Sequence, residues 1–340
     1  MRRRRFFALA LGVMVAGGCG GANGSGAAPA GRLTIVAPAA RGRGWDQAAR
    51  ALATILTEDG LVGAAEVSNR PGGVDTATLT AFGAAGGPFT RGGTVLLTGV
   101  PMLAGAETAD VASVLAATTP LARLAGDWAV LVVAPNSLLR TFEDFAAVLR
   151  RNPAELTVGG GVDGGSDHVL YGMIGKCLGV DVRLLDYAGY PTDAEAVEAL
   201  GEGRVAALLG SAGSLLPEIA VGRLLPLAVS SGERIDGIDA PTLMEREVRV
   251  KYADWCGVFG PRGMSPQDRD EVAALCGRID ASPRWQAVCA ANGWNRACLS
   301  GDDFRQWLVT ETRRARGVLG ELGLLSSFDT SCWGGCVRRH

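Results

Sequence analysis

Apolar positions change their period repeatedly along the chain. Leu33-Thr34-Ile35-Val36-Ala37 is a short β-run that stops at Pro38, and Trp45, Ala48, Ala49, Leu52, Ile55 and Leu56 then recur at helical spacing. The same exchange predicts strands over 64–68, 94–98, 128–134, 156–158, 182–187, 205–210 and 224–229. Helices are predicted between them over 74–85, 141–151, 166–178, 193–202 and 214–221. Thr141 with Asp144 supplies a capping box for one of these helices. Strands alternating with helices imply mainly parallel sheets covered on both faces. The last third reads differently. Helices are predicted near 266–279, opened by Ser265, Pro266 and Asp268, and near 283–292. A final helix follows Ser300 and Asp303, with Phe304, Trp307, Leu308, Ala315, Val318 and Leu319 on one face.

The first thirty residues follow no such pattern. Arg2 to Arg5 form a basic stretch, and Phe6 to Ala16 is an apolar run too short to span a bilayer. This is the layout of an export signal, with Gly17-Gly18 before the lone Cys19. It resembles a bacterial lipoprotein leader, which makes residues 1–18 a signal peptide and Cys19 the lipidated first residue. The alternative is a plain signal peptide cut at Ala28-Pro29-Ala30, and either the general or the twin-arginine export route fits the basic stretch. Residues 19–31 are small and polar and read as a flexible tether. The expected location is the outer face of the cytoplasmic membrane, held by lipid.

Composition narrows the chemistry. The 340 residues are 48% hydrophobic and 20% charged, a globular balance. Formal charge is −2, and −6 once Arg2 to Arg5 are removed, so no nucleic-acid partner is expected. Histidine occurs only at 168 and 340, which leaves little from which to build a catalytic triad or a metal site. Seven cysteines follow Cys19 without any metal-ligand spacing. Export permits disulfides, and Cys289 and Cys298 are close enough in sequence to pair. No cofactor, no metal and no enzymatic activity are expected.

Two glycine-rich turns lead from a strand into a helix, at 39–46 and at 159–168. Helix starts present unpaired N–H groups and attract anions. At the second turn Ser166 is expected to cap, with Asp167 and His168 in the first turn. Gly159-x-Gly161-x-x-Gly164, with Asp186 further on, also fits a dinucleotide fingerprint. It lies deep inside the chain rather than on its first strand. A secreted dinucleotide-dependent oxidoreductase using this loop is therefore the alternative reading.

Six ordered segments carry a family likeness: Val36-Ala37-Pro38 through Gly44-Trp45-Asp46; Asn69-Arg70-Pro71-Gly72-Gly73; Gly165-Ser166-Asp167-His168; Tyr187-Ala188-Gly189-Tyr190; Leu227 to Ser231 with Ala240-Pro241-Thr242-Leu243; and Asp254-Trp255 leading to Gly257–Pro261. Over about 32–322 the chain resembles the Bug-type substrate-binding proteins of tripartite tricarboxylate transporters. The resemblance implies an α/β, two-lobed periplasmic-binding-protein type II fold, each lobe a mainly parallel sheet flanked by helices. Lobe one would comprise 32–132 with 229–324, lobe two 133–228, and 325–340 a C-terminal tail. It also implies a monomer that takes a small di- or tricarboxylate between its lobes and delivers it to integral-membrane transporter subunits. The ligand positions it implies are Ala40, Arg41, Gly42, Arg43, Gly44, Trp45 and Asp46 in the first loop and Gly165, Ser166, Asp167 and His168 in the second. Thr98, Gly99, Tyr190 and Ser211 would complete the cleft. Arg41 and Arg43 stand where the family has Pro and Gly. They either reach the ligand or point to solvent.

Overall fold

A single long strand joins two sheets in the computed structural model, which describes residues 31–38, 41, 45–70, 82, 93–100 and 118–324. The elements in chain order are β1 (Arg32–Ala37), α1 (Asp46–Glu58), β2 (Ala64–Asn69), β3 (Gly93–Thr98), β4 (Thr118–Val133), α2 (Phe142–Arg151), β5 (Val158–Gly160), α3 (Ser166–Cys177) and β6 (Tyr187–Gly189). They continue with α4 (Asp193–Gly201), β7 (Ala207–Ser211), α5 (Ala212–Ala220), β8 (Leu225–Val229), β9 (Ala253–Pro261), α6 (Pro266–Ala281), α7 (Pro283–Ala291), β10 (Trp294–Ser300) and α8 (Gly301–Glu321). The expected signal peptide, tether, C-terminal tail and most of the 74–85 helix lie outside the described residues.

The first sheet runs β2-β1-β3-β9-β4-β10, and the second runs β8-β4-β7-β5-β6. Thr118 to Trp128 of β4 pair with β9, whereas Ala129 to Val132 pair with β7. The return crossing runs from β8 to β9 and is tied to the outgoing one. Ser230 N–H donates to the Ala129 carbonyl at 2.9 Å, and the Ser230 hydroxyl accepts from Ala129 N–H at 2.9 Å and donates to the Tyr252 carbonyl at 2.6 Å. Tyr252 N–H closes the set on the Ser230 carbonyl at 3.0 Å.

Helices α1, α6 and α7 cover the first sheet around Leu52, Ile55, Leu275, Ile279 and Trp285. Helices α4 and α5 cover one face of the second sheet through Ala199, Leu200 and Leu215. Helices α2, α3 and α8 share a core that reaches both sheets, with Phe145, Leu170, Trp255, Phe304 and Leu319 in it. Gly172 lets α3 and α8 approach, since a Cβ there would sit 2.6 Å from Val318.

Several expectations change on the structure. Pairing is parallel at β1–β2, β1–β3, β5–β6 and β5–β7, but every pair made by β4 or β9 is antiparallel. The strand expected from 128 begins at Thr118, because Pro120, Arg123 and Asp127 hide its first half and two bulges break its alternation. The strand expected over 182–187 is a 3-10 turn at Val182–Leu184 capped by Asp181, and strand resumes only at Tyr187. Strands β9 and β10 do not show in the pattern: β9 is buried on both faces, and β10 is half-buried apart from exposed Arg296 and Ser300, without alternation. Gly165, not Ser166, occupies the cap of α3, and the Ser300 side chain does not cap α8. Cys289 and Cys298 remain free thiols. Cys289 points into the core beneath the first sheet, and burial pushes its thiol up to about 11, whereas Cys298 lies on β10 at a register irregularity.

Candidate functional site

The end of β3 and the start of α1 meet the crossing strands. Thr98 is buried at the last position of β3. The next residue must be glycine: a Cβ on Gly99 would lie 2.1 Å from the Trp255 carbonyl and 2.9 Å from the Trp45 indole nitrogen. Trp45 occupies the α1 cap, and its ring packs 5.4 Å from that of Trp294. Asp46 is fully buried and held on both oxygens, by Arg50 Nε at 2.9 Å and by Asn69 Nδ2 at 2.7 Å. Arg50 also donates to Asn69 Oδ1 at 2.8 Å. Asp46 thus binds the α1 start to β2 and links two of the sequence segments read separately. Arg41 is exposed, while Ala40, Gly42, Arg43 and Gly44 fall outside the described residues.

The second loop is organised by its own side chains. Asp167 accepts from Gly161 N–H at 2.8 Å, and the Tyr187 hydroxyl donates to the Gly161 carbonyl at 2.7 Å. His168 is buried, stacks on Tyr187 at 4.0 Å, and accepts from Gly164 N–H through Nδ1 at 3.2 Å. Burial lowers its imidazole to about 4 against the pull of Asp163, so it is neutral at pH 7. The Ser166 hydroxyl donates to the Tyr252 hydroxyl at 3.1 Å, which joins the α3 start to the return crossing. The glycines that suggested a fingerprint serve this packing: a Cβ on Gly159 would sit 3.2 Å from Val205, one on Gly161 would sit 3.2 Å from Asp167 Oδ2, and Gly164 has φ of +73°. Two of the loop's amides are already committed to Asp167 and His168, which removes the basis for a pyrophosphate cradle.

Three carboxyl groups influence one another where these loops meet the crossing. Asp127 of β4 and Asp254 of β9 are direct cross-strand partners, and Asp167 belongs to the first turn of α3. Burial first, then the charge of Asp167, pushes the Asp254 carboxyl up to about 7, although the Val100 and Trp255 N–H groups donate to it. The Trp45 indole faces Asp254 and favours its charge without completing a hydrogen bond. Burial likewise pushes Asp167 up to about 7 despite Gly161, with Asp193 adding to the shift. Asp127 is raised well above the usual carboxylate range by burial, opposed by the Ser211 hydroxyl and reinforced by Asp254. Its Oδ1 is buried without a hydrogen-bond partner among the described residues.

Of the expected ligand positions, Trp45, Thr98, Gly99, Gly165, Ser166, Asp167 and Ser211 therefore lie on elements around this junction. Ser211 ends β7, where it also caps α5 by accepting from Ser214 N–H at 3.2 Å. Tyr190 packs against the α4–α5 side of the second sheet, with Arg204 5.8 Å above its ring. Asp127 and Tyr252 are additions. A lone acid inside the apolar stretch Leu124–Val133 was the available signal for Asp127. No group of three or more His, Cys, Asp or Glu among the described residues could hold a metal ion. A separate hollow of about 410 Å³ lies away from the junction, between Pro135, Val197 and the Glu218–Arg223 pair.

Two sheets exchanging strands, with helix starts converging on the crossing, define a two-lobed periplasmic-binding-protein fold of type II. The sequence profile of the tripartite tricarboxylate transporter family receptor matches residues 107–324, and the chain belongs to that family. It is 26% identical over 214 residues to the UPF0065 protein in the tcbD-tcbE intergenic region of Pseudomonas sp. (strain P51), covering 62% of this chain and 60% of that one. It is 21% identical over 202 residues to the UPF0065 protein in the gbd 5' region of Cupriavidus necator, covering 59% and 61%. The chain thus spans about three-fifths of the length of these curated relatives. Among solved structures, a TctC solute binding protein from Polaromonas has a TM-score of 0.68 at 22% identity, over 86% of this chain and 99% of that one. An R. palustris protein with adipate has 0.71 at 21%, over 87% and 98%. MatC from Rhodopseudomonas palustris with bound malate has 0.64 at 19%, over 87% and 99%. No helix among the described residues is long and apolar enough to cross a membrane.

Proposed function

We propose that this protein is an exported solute-binding lipoprotein. It captures a small di- or tricarboxylate between its lobes without turnover and delivers it to the integral-membrane subunits of a tripartite tricarboxylate transporter. The observation that carries this reading is the junction itself: the α3 start is hydrogen-bonded to the return crossing, and the β3 end is packed against it. A ligand seated there would touch both lobes, so closure and binding are coupled. Family membership and the adipate- and malate-bound neighbours support the ligand class. We assign 32–132 with 229–324 to lobe one and 133–228 to lobe two. The change of pairing partner along β4 supports a division in this region.

The test is a thermal-shift and calorimetric screen of di- and tricarboxylates that includes adipate and malate. A ligand at a hundredfold excess over its Kd should stabilise the fold by about 2.7 kcal/mol. A screen without any shift, or consumption of the ligand on incubation, overturns the reading. The anchor has its own test: Cys19→Ala should move the protein from the membrane fraction into the soluble exported fraction. Wild type found wholly soluble outside the cytoplasm would remove the lipid anchor.

A further inference from the structure

Four thiols lie on or beneath the first sheet: Cys256 on β9, Cys276 on α6, Cys289 on α7 and Cys298 on β10. Cys256, Cys276 and Cys289 are buried in one core, whereas Cys298 is half-buried. An oxidant arriving from solvent therefore meets Cys298 first.

The way β10 packs on α6 decides which core thiol stands behind it. Trp294 packs against the core that α1, α6 and α7 share. Arg296 reaches α6, where it donates to Asp280 Oδ1 at 3.3 Å, to Oδ2 at 3.1 Å and to the Asp280 carbonyl at 3.1 Å. Alternate residues of a strand share a face, so Cys298 is the next position of β10 on the α6 side. Leu299, of the opposite parity, packs on the other core. Along the helix, Cys276 stands one turn before Asp280 and on the same face. Two residues of strand and one turn of helix each cover about 6 Å. The Cys298 thiol acts electrostatically on Cys276, so the two steps away from the Arg296–Asp280 contact lead towards each other. The register of β10 on β4 also shifts between Arg296 and Leu299, and an irregularity of this kind re-aims the side chain inside it, here Cys298. Cys289 is placed differently: the charges acting on it are Arg296 and Asp280, and its own influence falls on Cys256.

We propose that Cys276 and Cys298 form a disulfide that fastens β10 to α6 once the chain has left the cytoplasm. Formation in the cell rests on the export reading above, whereas the choice of partners does not. The Cys298 thiolate attacks the disulfide of an oxidised thiol oxidoreductase, bonds to one of its sulfurs and releases the other. The Cys276 thiolate then attacks Cys298 Sγ, the mixed disulfide breaks and the second oxidant sulfur leaves. Two protons and two electrons pass to the oxidant, which becomes a dithiol. Burial pushes the Cys276 thiol up to about 12, so the second attack is the slower one and gains from alkaline pH.

Trypsin separates the candidates, since cleavage after Arg269, Arg278, Arg284, Arg296 and Arg305 leaves Cys276, Cys289 and Cys298 on three different peptides. The full-length protein is mapped by mass spectrometry without reduction in two states: as isolated from cells, and after reduction and equilibration in a glutathione redox buffer at pH 8. In both, a link between the Asp270–Arg278 and Ala297–Arg305 peptides should be at least tenfold more abundant than any other link to Cys298. It should persist in Cys289→Ser and vanish in Cys276→Ser. Reduction should lower the denaturation midpoint of wild type and of Cys289→Ser but leave that of Cys298→Ser unchanged. A link from Cys298 to Cys289 or to any other cysteine overturns the pairing, and so does Cys298 left as a thiol or a glutathione adduct after equilibration. A pair that forms in glutathione but is absent from protein recovered outside the cytoplasm overturns its formation in the cell. Protein recovered only from the cytoplasm overturns the export reading and leaves a pairing seen in glutathione standing.

Discussion

Gly99 shows how one residue can set the shape of the junction. Its backbone lies against the Trp255 carbonyl and the Trp45 indole, and there is no room for even a methyl group. Gly99→Ala should therefore lower stability by about 1–3 kcal/mol, the usual cost of overpacking. It should also weaken ligand binding, because the β3 end must move away from Asp254. Chemical denaturation together with calorimetry checks both, and a variant with unchanged midpoint and affinity would mean that this contact is not rigid. Arg41 makes the contrasting case. It is exposed on the first loop, so Arg41→Ala is expected to bind the best ligand within a factor of two of wild type. A tenfold loss would show that its guanidinium reaches the ligand. His168 lies between these extremes: its value is in its shape and in one accepted hydrogen bond, because a neutral imidazole brings no charge to an anion.

Elements with one clean periodic face were legible in the sequence, and elements at the crossing were not. Helix α1 buries Ala48, Ala49, Leu52, Ile55 and Leu56 as its spacing implied, and α2 carries the complete Thr141–Asp144 capping box. Strand β4 serves two sheets at once, so its residues answer to neighbours on four strands and lose the alternation of a half-buried strand. The site was legible as loops, through Gly99 and the 165–168 turn. Its acids were missed because Asp127 and Asp254 become neighbours only through pairing between strands more than a hundred residues apart in the chain. The crossing itself depends on Ser230, whose hydroxyl serves two backbone groups, Ala129 N–H and the Tyr252 carbonyl. Ser230→Ala leaves both buried groups without that partner and should cost about 1–3 kcal/mol. The denaturation midpoint of this variant is the measurement. An unchanged midpoint would show that water or a backbone shift replaces the hydroxyl.

At the scale of the whole molecule, the acid cluster ties stability to pH in an unusual direction. Burial pushes the Asp167 and Asp254 carboxyls up to about 7 in the folded chain, above the ordinary carboxylate range, and holds Asp127 well above that range too. Between about pH 4 and 7 the native state therefore holds more protons at these groups than the unfolded chain, and stability falls as pH rises. His168 acts in the opposite sense: folded near 4 against 6.5, it makes the unfolded chain the better proton binder in that window. One imidazole opposes three carboxyls, so the acids set the sign. Exposed carboxylates such as Asp181, held down to about 2 by Arg183, lose their contribution only as pH falls below the ordinary carboxylate value. The ligand-free protein should accordingly be most stable near pH 5 and less stable at pH 8. Asp127→Asn removes one of the three groups, so its stability should depend less steeply on pH and should exceed that of wild type at pH 8 by about 0.5–2 kcal/mol. Denaturation midpoints of both proteins at pH 5, 6, 7 and 8 give the comparison. Wild-type stability that rises across this range, or parallel profiles for the two proteins, would show that the aspartates are not held together at the expense of the fold.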